Sequence, residues 1–410
     1  MARRNFAAYG ITWLNDFVLS LLVFAVTRSL AEQNAGTLKM GLVSGGFAAA
    51  LSLSTFFGGR IADRLGHVKI IVAATLLLFP CLVCAAAAIS GSWPFFLAYI
   101  LSGLVMGMAY PAAIAWLTMD QQGSMALRRL IGYCLAWNLG MISGHATGGQ
   151  LFGAWGHSTV LFCAAGILPL NLLLAAWGCK TVTKPADFAE DHHDWEAHGA
   201  SVELAGAFTV LSWVANVGGT FAMSMILFLL PALAVEIGVT AEHQGGMVAV
   251  SRLVVIATYL LMAIARQWQF RLVTAVCSQL LAVLGLLYMA AARNESQLLL
   301  GLATFSMLPA YNYFASLFYS TVGSTVLERG KWCGIHEATL GVGLTLGSIL
   351  GGWIGSRDVR SCFWLAAAVV SALTVVQLVL YVKLVVPLRA ARANRVATAQ
   401  RDWSIEPGDM

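Results

Sequence analysis

The sequence predicts an all-α polytopic membrane protein with twelve transmembrane helices in two pseudo-symmetric six-helix bundles. Three observations support this fold class: the composition, a hydrophilic break near the middle of the chain, and an internal repeat. Of the 410 residues, 59% are hydrophobic and 10% are charged, and the mean hydropathy is +0.78. Because soluble domains carry about 25% charged residues, a chain this apolar can satisfy its surface only against lipid.

Twelve apolar stretches are long enough to cross a bilayer, and a hydrophilic segment separates them into two groups of six. Spans 1 to 6 are predicted at residues 9–30, 38–60, 68–89, 94–118, 130–152 and 158–178. Spans 7 to 12 are predicted at residues 207–235, 245–265, 270–292, 297–323, 334–355 and 361–386. The predicted domains are a bundle at 1–178, a cytoplasmic linker at 179–203, a second bundle at 204–386 and a basic cytoplasmic tail at 387–410.

Basic residues are concentrated on one side of this topology. Most of the 24 Lys and Arg residues fall in segments that are cytoplasmic if the N-terminus is inside, as the positive-inside rule requires. The sequence therefore predicts a multi-pass protein of the cytoplasmic (inner) membrane with both termini in the cytoplasm. The net charge of +5 reflects these loops, so nucleic-acid binding is not indicated. No disulfide, metal or cofactor is expected, because the cysteines lie mostly in apolar runs and the histidine-rich linker fits no standard metal site.

The two halves resemble each other at an offset of roughly 200 residues, as duplicated transporter units do. Three groups of residues match between corresponding spans: Thr12, Trp13 and Asp16 with Ser212, Trp213 and Asn216; Met106 and Tyr110 with Met307 and Tyr311; and Gly140 and Gly144 with Gly343 and Gly347. This repeat indicates a duplicated six-helix unit that handles its substrate between the halves.

A polar stripe runs along span 1 and recurs in span 7. Its span 1 members share one helical face: Tyr9, Thr12, Trp13, Asp16, Ser20 and Thr27. Because polar groups inside lipid are costly unless they face protein or water, both helices are predicted to line a cavity. Hydrogen bonding between helices is the alternative explanation.

Two ionisable residues, Asp16 and Arg252, lie well inside predicted spans. A charge at that depth costs about 2.5–3.5 kcal/mol on insertion scales, so Asp16 is expected to face water, to titrate, or to pair with a cation. Asp16 is the leading candidate for proton coupling, whereas Arg252 suits a carboxylate or phosphate group. A fixed structural ion pair is the alternative for both. His336 and Glu337 are interpreted as structural residues at the cytoplasmic start of span 11, where the helix dipole favours an acid.

The loop after span 2 reads GRIADRLGHVK at residues 59–69. It resembles the G-x-L-A-D-R-x-G-R-K signature of the major facilitator superfamily, with His67 and Val68 in place of the usual basic pair. The resemblance implies that this loop is a gating motif at a cytoplasmic gap between helices. The positions that match it are Gly59, Asp63, Arg64 and Gly66.

Span 5 reads GMISGHATGG at residues 140–149. This segment is similar to the G-x-x-x-G-P-x-x-G-G motif of antiporter members of the superfamily, and the resemblance implies the drug or metabolite proton antiporter branch. His145 stands at the proline position and is a second candidate for proton coupling. Gly103 stands where many proton-coupled members carry arginine.

These features predict a monomeric secondary transporter that works by alternating access and is not an enzyme, since no catalytic constellation is present. Its partners are a small molecule, possible coupling protons and the lipid bilayer. The leading hypothesis is proton-linked efflux of an amphipathic or ring-bearing solute. Uptake or facilitated diffusion of a sugar or organic anion is an alternative, and a transport-inactive receptor or scaffold is another. The substrate-binding candidates are Trp13, Asp16, Tyr110, Trp213, Asn216, Arg252 and Tyr311.

Overall fold

The computed structural model describes residues 2–119, 123–179, 202–322 and 329–403. In these ranges, eleven helices are long and apolar enough to cross a membrane. One of them, Gly123–Gly178, contains two crossings, because Gly156 adopts φ +76° and ψ −176° and breaks the helix. The twelve spans predicted from hydropathy are therefore all found in the described part of the chain.

Where the structure describes the connections, neighbouring spans are joined by short turns. Spans 1 to 6 lie in Ala2–Glu32, Thr37–Leu65, His67–Ala87, Trp93–Thr118 and Gly123–Gly178. Spans 7 to 10 lie in Val202–Ser224 with Met225–Leu229 and Leu230–Glu236, then Ala241–Ile264, Leu272–Ala291, and Glu295–Phe305 with Met307–Val322. Spans 11 and 12 lie in Arg329–Gly355 and Arg360–Leu380. Thr240 and Asn294 cap the helices of spans 8 and 10 with their side-chain oxygens.

Two helices extend further than the hydropathy pattern predicts. Span 11 begins at Arg329 rather than near residue 334, because its first turns are helical but carry basic residues. Span 12 continues through the π-helical segment Tyr381–Val385 into Val386–Trp403, so the described part of the predicted basic tail is helical and continuous with span 12. Most of the predicted linker, residues 180–201, and the end of the tail lie outside the described residues. The domain boundaries therefore stay a prediction.

The two halves meet along two antiparallel helix pairs, span 5 with span 8 and span 2 with span 11. We call the end of the bundle where span 1 begins the terminal face, and the opposite end the distal face. At the distal end of the first pair, Gly149 lies against Ala241 and Gly245. At the distal end of the second pair, Gly41 lies against Gly352. Glycine is required at these contacts because no side chain fits between the backbones.

The distal face is closed by backbone contacts and by one arginine. A Cβ atom on Gly352 would lie 2.6 Å from the Thr37 carbonyl oxygen, and the Thr37 hydroxyl donates to the Gly352 carbonyl at 3.1 Å. Arg28 of span 1 crosses to the second half, where it donates to the Val239 carbonyl at 3.0 Å and to Gln244 at 2.8 Å. The two halves are therefore held together at this face by direct contacts in the described conformation.

The packing of span 1 on span 5 is repeated by span 7 on span 11, and it fixes the register of the repeat. In the first half, Gly140 packs on Asp16 and Phe17, and Gly144 packs on Phe17 and Ser20. In the second half, Gly343 packs on Thr220 and Phe221, and Gly347 packs on Phe221 and Ser224. Asp16 therefore corresponds to Thr220. The predicted pairing of Asp16 with Asn216 is wrong by one helical turn.

Candidate functional site

Asp16 is buried between the helices at the middle of span 1 and is 4% exposed. The Tyr110 hydroxyl of span 4 donates to its Oδ1 atom at 3.3 Å. Its Oδ2 atom is buried and has no hydrogen-bond partner among the described residues. An unpaired carboxylate costs free energy at this depth. Oδ2 is therefore expected either to carry a proton or to accept a hydrogen bond from another molecule.

Arg252 of span 8 approaches the same region from the second half and is also 4% exposed. Its charge interacts with that of Asp16 through space, but the two side chains form no direct ion pair. Within the described ranges, no group forms a hydrogen bond with the Arg252 guanidinium either. The fixed ion pair that the sequence left open is therefore absent, and the guanidinium keeps its hydrogen-bonding capacity.

His145 lies in the contact between span 5 and span 8. Its carbonyl oxygen packs against Gly245, and its ring meets Phe24 edge-on, with centroids 6.3 Å apart. Both ring nitrogens are buried and have no hydrogen-bond partner in the described part of the chain. Such an unsatisfied side chain needs an explanation beyond packing, and proton transfer is one such role.

Aromatic side chains from both halves meet beside Asp16. Trp137 of span 5 packs edge-on against Tyr313 of span 10, with centroids 5.9 Å apart. The Tyr110 and Tyr133 hydroxyls lie within electrostatic range of both Asp16 and Glu337. These rings form an amphipathic surface at the contact between the halves, suited to a flat solute with polar edges.

His336 and Glu337 of span 11 complete this region from the second half. His336 is fully buried, and its Nδ1 atom is 2.7 Å from the Ser316 hydroxyl. The other ring nitrogen lies 4.0 Å from Oε1 of Glu337, whose side chain is 26% exposed. The predicted position at the start of span 11 is wrong: because the helix begins at Arg329, both residues lie about two turns inside it, beyond the reach of helix-end effects.

Four of the predicted substrate-binding residues contact neighbours other than Asp16 and Arg252. Trp13 packs beside Phe17 on its own helix. Trp213 donates a hydrogen bond to Ser320 at 3.1 Å, and Asn216 donates one to Thr339 at 2.9 Å. The Tyr311 hydroxyl is 2.8 Å from the Thr274 hydroxyl. The last three of these contacts lie within the second half. Of the predicted residues, Asp16 and Tyr110 are in direct contact, and Arg252 lies within electrostatic range of both Asp16 and His145.

Sequence reasoning did not select Tyr133, Trp137, Tyr313 or Glu337 for this site. Tyr133 and Trp137 are four residues apart and share one face of span 5, and this helical spacing was the available signal. Tyr313 follows Tyr311 by two residues, which places it on a different face of span 10. Tyr313, unlike Tyr311, contacts Trp137 of the first half, and the sequence alone does not reveal this contact.

The predicted gating motif lies at the terminal face. Gly66 adopts φ +98° and ends span 2, and its N–H donates to the Ala62 carbonyl at 2.8 Å. Asp63 and Arg64 are exposed and form no ion pair with any described residue, although Asp63 lies within electrostatic range of His67. In the part of the chain that the structure describes, no group of three or more His, Cys, Asp or Glu residues could hold a metal ion.

Comparison with known proteins agrees with this architecture. The family model described as Major Facilitator Superfamily matches residues 6–327. The chain is similar in structure to a mutant of the nucleoside transporter NupG, with a TM-score of 0.65 at 12% identity, over 92% of this chain and 100% of that one. At this identity the likeness shows the fold alone. No curated protein matches the chain.

Proposed function

Because this chain belongs to the major facilitator superfamily and is a secondary transporter, not an enzyme, we propose that it exchanges a small ring-bearing solute for protons. In the topology that the basic residues predict, this exchange is proton-linked efflux across the cytoplasmic membrane. The proposal rests on the state of the Asp16 carboxyl group and on the rings around it.

The observation that carries the proposal is the unpartnered Oδ2 atom of Asp16. In a buried site this oxygen must either carry a proton or accept a hydrogen bond from the solute. The ionised oxygen is the stronger acceptor, so binding of a solute that donates to it favours release of the proton, and protonation weakens binding of the solute. Such competition links two opposite fluxes, which is antiport.

The aromatic surface supports a ring-bearing solute. Trp137 and Tyr313 present edge-on rings from the two halves, and Tyr110 offers a hydroxyl that already contacts Asp16. A flat solute can therefore stack on a ring while its polar edge reaches the carboxyl group. NupG, with its related fold, is a nucleoside transporter, and a nucleoside is one solute of this kind.

The test is transport by purified protein in vesicles with an imposed pH gradient, with labelled uridine and labelled tetraphenylphosphonium as ring-bearing probes. Wild-type protein should accumulate at least one probe against its gradient. Asp16→Asn should lose this accumulation but retain counterflow, which exchanges solute without net proton movement.

The matched control is Asp358→Asn, since Asp358 lies in an exposed loop where an amide oxygen can still accept the Arg360 N–H. Undiminished uphill transport by well-folded Asp16→Asn protein would refute the coupling role. Binding of a probe without any flux would instead support a transport-inactive receptor.

The Arg252 guanidinium favours a second candidate, uptake of an organic anion with protons. The Arg252 guanidinium is buried and has no hydrogen-bond partner in the described residues, and a carboxylate or phosphate of a solute could accept its hydrogen bonds. This candidate predicts that substrate and protons move in the same direction. The sign of the proton flux on adding solute therefore separates the two candidates.

A further inference from the structure

We propose that Glu337 is a second carboxylate of the central site and that the solute is a ring-bearing monocation held between Glu337 and Asp16. This inference rests on the proposed antiport and deepens it by naming the substrate class. It concerns a residue in the opposite half of the molecule from Asp16, so each half supplies one acidic group to the same site.

Glu337 lies next to a series of side-chain contacts that crosses between the halves, since its Oε1 atom is 4.0 Å from Nε2 of His336. The adjacent His336 is fixed by Ser316 at 2.7 Å and is covered by the Tyr313 ring, with centroids 5.0 Å apart. Tyr313 in turn packs on Trp137, which belongs to the first half. Glu337 therefore lies at the end of a continuous chain of contacts that crosses from span 5 to span 11.

Two tyrosines of the first half connect Glu337 with Asp16. The Tyr110 and Tyr133 hydroxyls each lie within electrostatic range of both carboxyl groups, and Tyr110 also bonds to Asp16 directly. The two carboxyl groups do not contact each other. The two tyrosines thus lie near an acidic group from each half and near the Trp137 and Tyr313 rings, and acidic groups with aromatic rings are what a ring carrying a positive charge requires.

The charges at this depth do not balance. Asp16 and Glu337 carry two negative charges when ionised, whereas Arg252 supplies one positive charge, so one negative charge is unmatched. The other titratable groups described here include His336, His145, Tyr110, Tyr133 and Tyr313, and in their neutral form they add no charge. An unmatched charge inside a membrane protein is costly, and one proton or one monocation neutralises it. This balance agrees with one-for-one exchange of a proton and a monocation.

The experiment compares two probes of the same shape and opposite charge, tetraphenylphosphonium and tetraphenylborate, binding to the full-length protein in lipid nanodiscs. Wild-type protein should bind tetraphenylphosphonium, and binding should release protons. Glu337→Gln should weaken this binding at least about tenfold, which equals about 1.4 kcal/mol. The control Glu295→Gln removes an equal charge at the distal face, where Glu295 contacts His243, and should bind like wild type.

A further variant separates loss of charge from loss of fold. Glu337→Asp retains the carboxylate and should recover much of the affinity, whereas a purely structural role predicts that both variants melt early and bind alike. Thermal melting of each variant is measured alongside binding. Equal affinity of Glu337→Gln and wild type for tetraphenylphosphonium would overturn the inference.

The outcomes also separate this inference from the proposed function. If Asp16→Asn abolishes proton release while Glu337→Gln changes nothing, the antiport stands and the role of Glu337 is refuted. If neither variant alters proton release or transport, the proposed function itself fails. Preferential binding of tetraphenylborate, lost on Arg252→Gln, would overturn the monocation and favour the organic-anion candidate.

Discussion

Replacing Gly149 by alanine is expected to open the distal face. A Cβ atom at this position would lie 2.6 Å from the Ala241 carbonyl oxygen, and ordinary contacts begin at 3.4 Å, so the two helices must separate by 0.8 Å. The atoms in the way are backbone atoms of span 8, which cannot rotate aside. Overpacking of this kind costs about 1–3 kcal/mol, and the cost falls only on the conformation in which the distal face is closed.

The expected shift of the equilibrium follows from that cost. An energy of about 1–3 kcal/mol changes the ratio of distal-closed to distal-open molecules roughly 5- to 150-fold. Amide hydrogen exchange measured by mass spectrometry should therefore be faster in residues 145–153 and 241–249 of Gly149→Ala than in wild type. Residues of spans 3 and 6 that face away from this contact should exchange as before, because the fold itself is unchanged.

The neighbouring glycine gives a matched control. A Cβ atom on Gly148 would meet the Leu21 side chain at 3.4 Å, which is an ordinary contact, so Gly148→Ala should exchange like wild type. Equal exchange by the two variants would refute the reasoning. Faster exchange throughout Gly149→Ala, with a lower melting temperature, would show general destabilisation and would also contradict the predicted shift.

Three further changes test other parts of the molecule. Arg28→Gln removes charge-assisted bonds to the second half and should lower the stability of the distal closure by about 1–3 kcal/mol, seen as faster amide exchange near Val239. Asp63→Asn should leave folding and probe binding intact but slow conformational exchange in single-molecule distance measurements, and weaker binding at an unchanged exchange rate would contradict the gating role. Reporter fusions near residues 3, 190 and 400 should all be cytoplasmic, and an external reporter at 190 would contradict the six-plus-six topology.

The sequence predicted the number and order of the spans because hydropathy depends on composition, which packing does not alter. It could not fix the register of the repeat. Residues four apart lie about one helical turn apart on the same face, so the polar stripe pairs Asp16 equally well with Asn216 or with Thr220. Only the glycines of spans 5 and 11, pressed against Phe17 and Phe221, select the second pairing.

The contacts between the two halves could not be predicted from the sequence either. A hydropathy window assigned Glu337 to a helix end because Arg329 and the lysine two residues later lower the local hydropathy, although these residues are helical. Glu337 lies near the tyrosines of the first half because the two halves pack together, and a hydropathy window contains no information about that packing. Asp16, in contrast, was identified from the sequence because a charge in an apolar stretch is rare enough to be informative by itself.

The π-helical segment Met225–Leu229 in span 7 has no equivalent in span 1, which is α-helical from Ala2 to Glu32. A π segment contains one more residue than the α-helical turn it replaces, and such segments occur mostly as single turns inside α-helices, frequently at functional sites. In the register set by the glycine contacts, Arg28 of the first half corresponds to Ala232 of the second. The distal seal is therefore asymmetric, and span 7 is the helix expected to bend when this seal breaks.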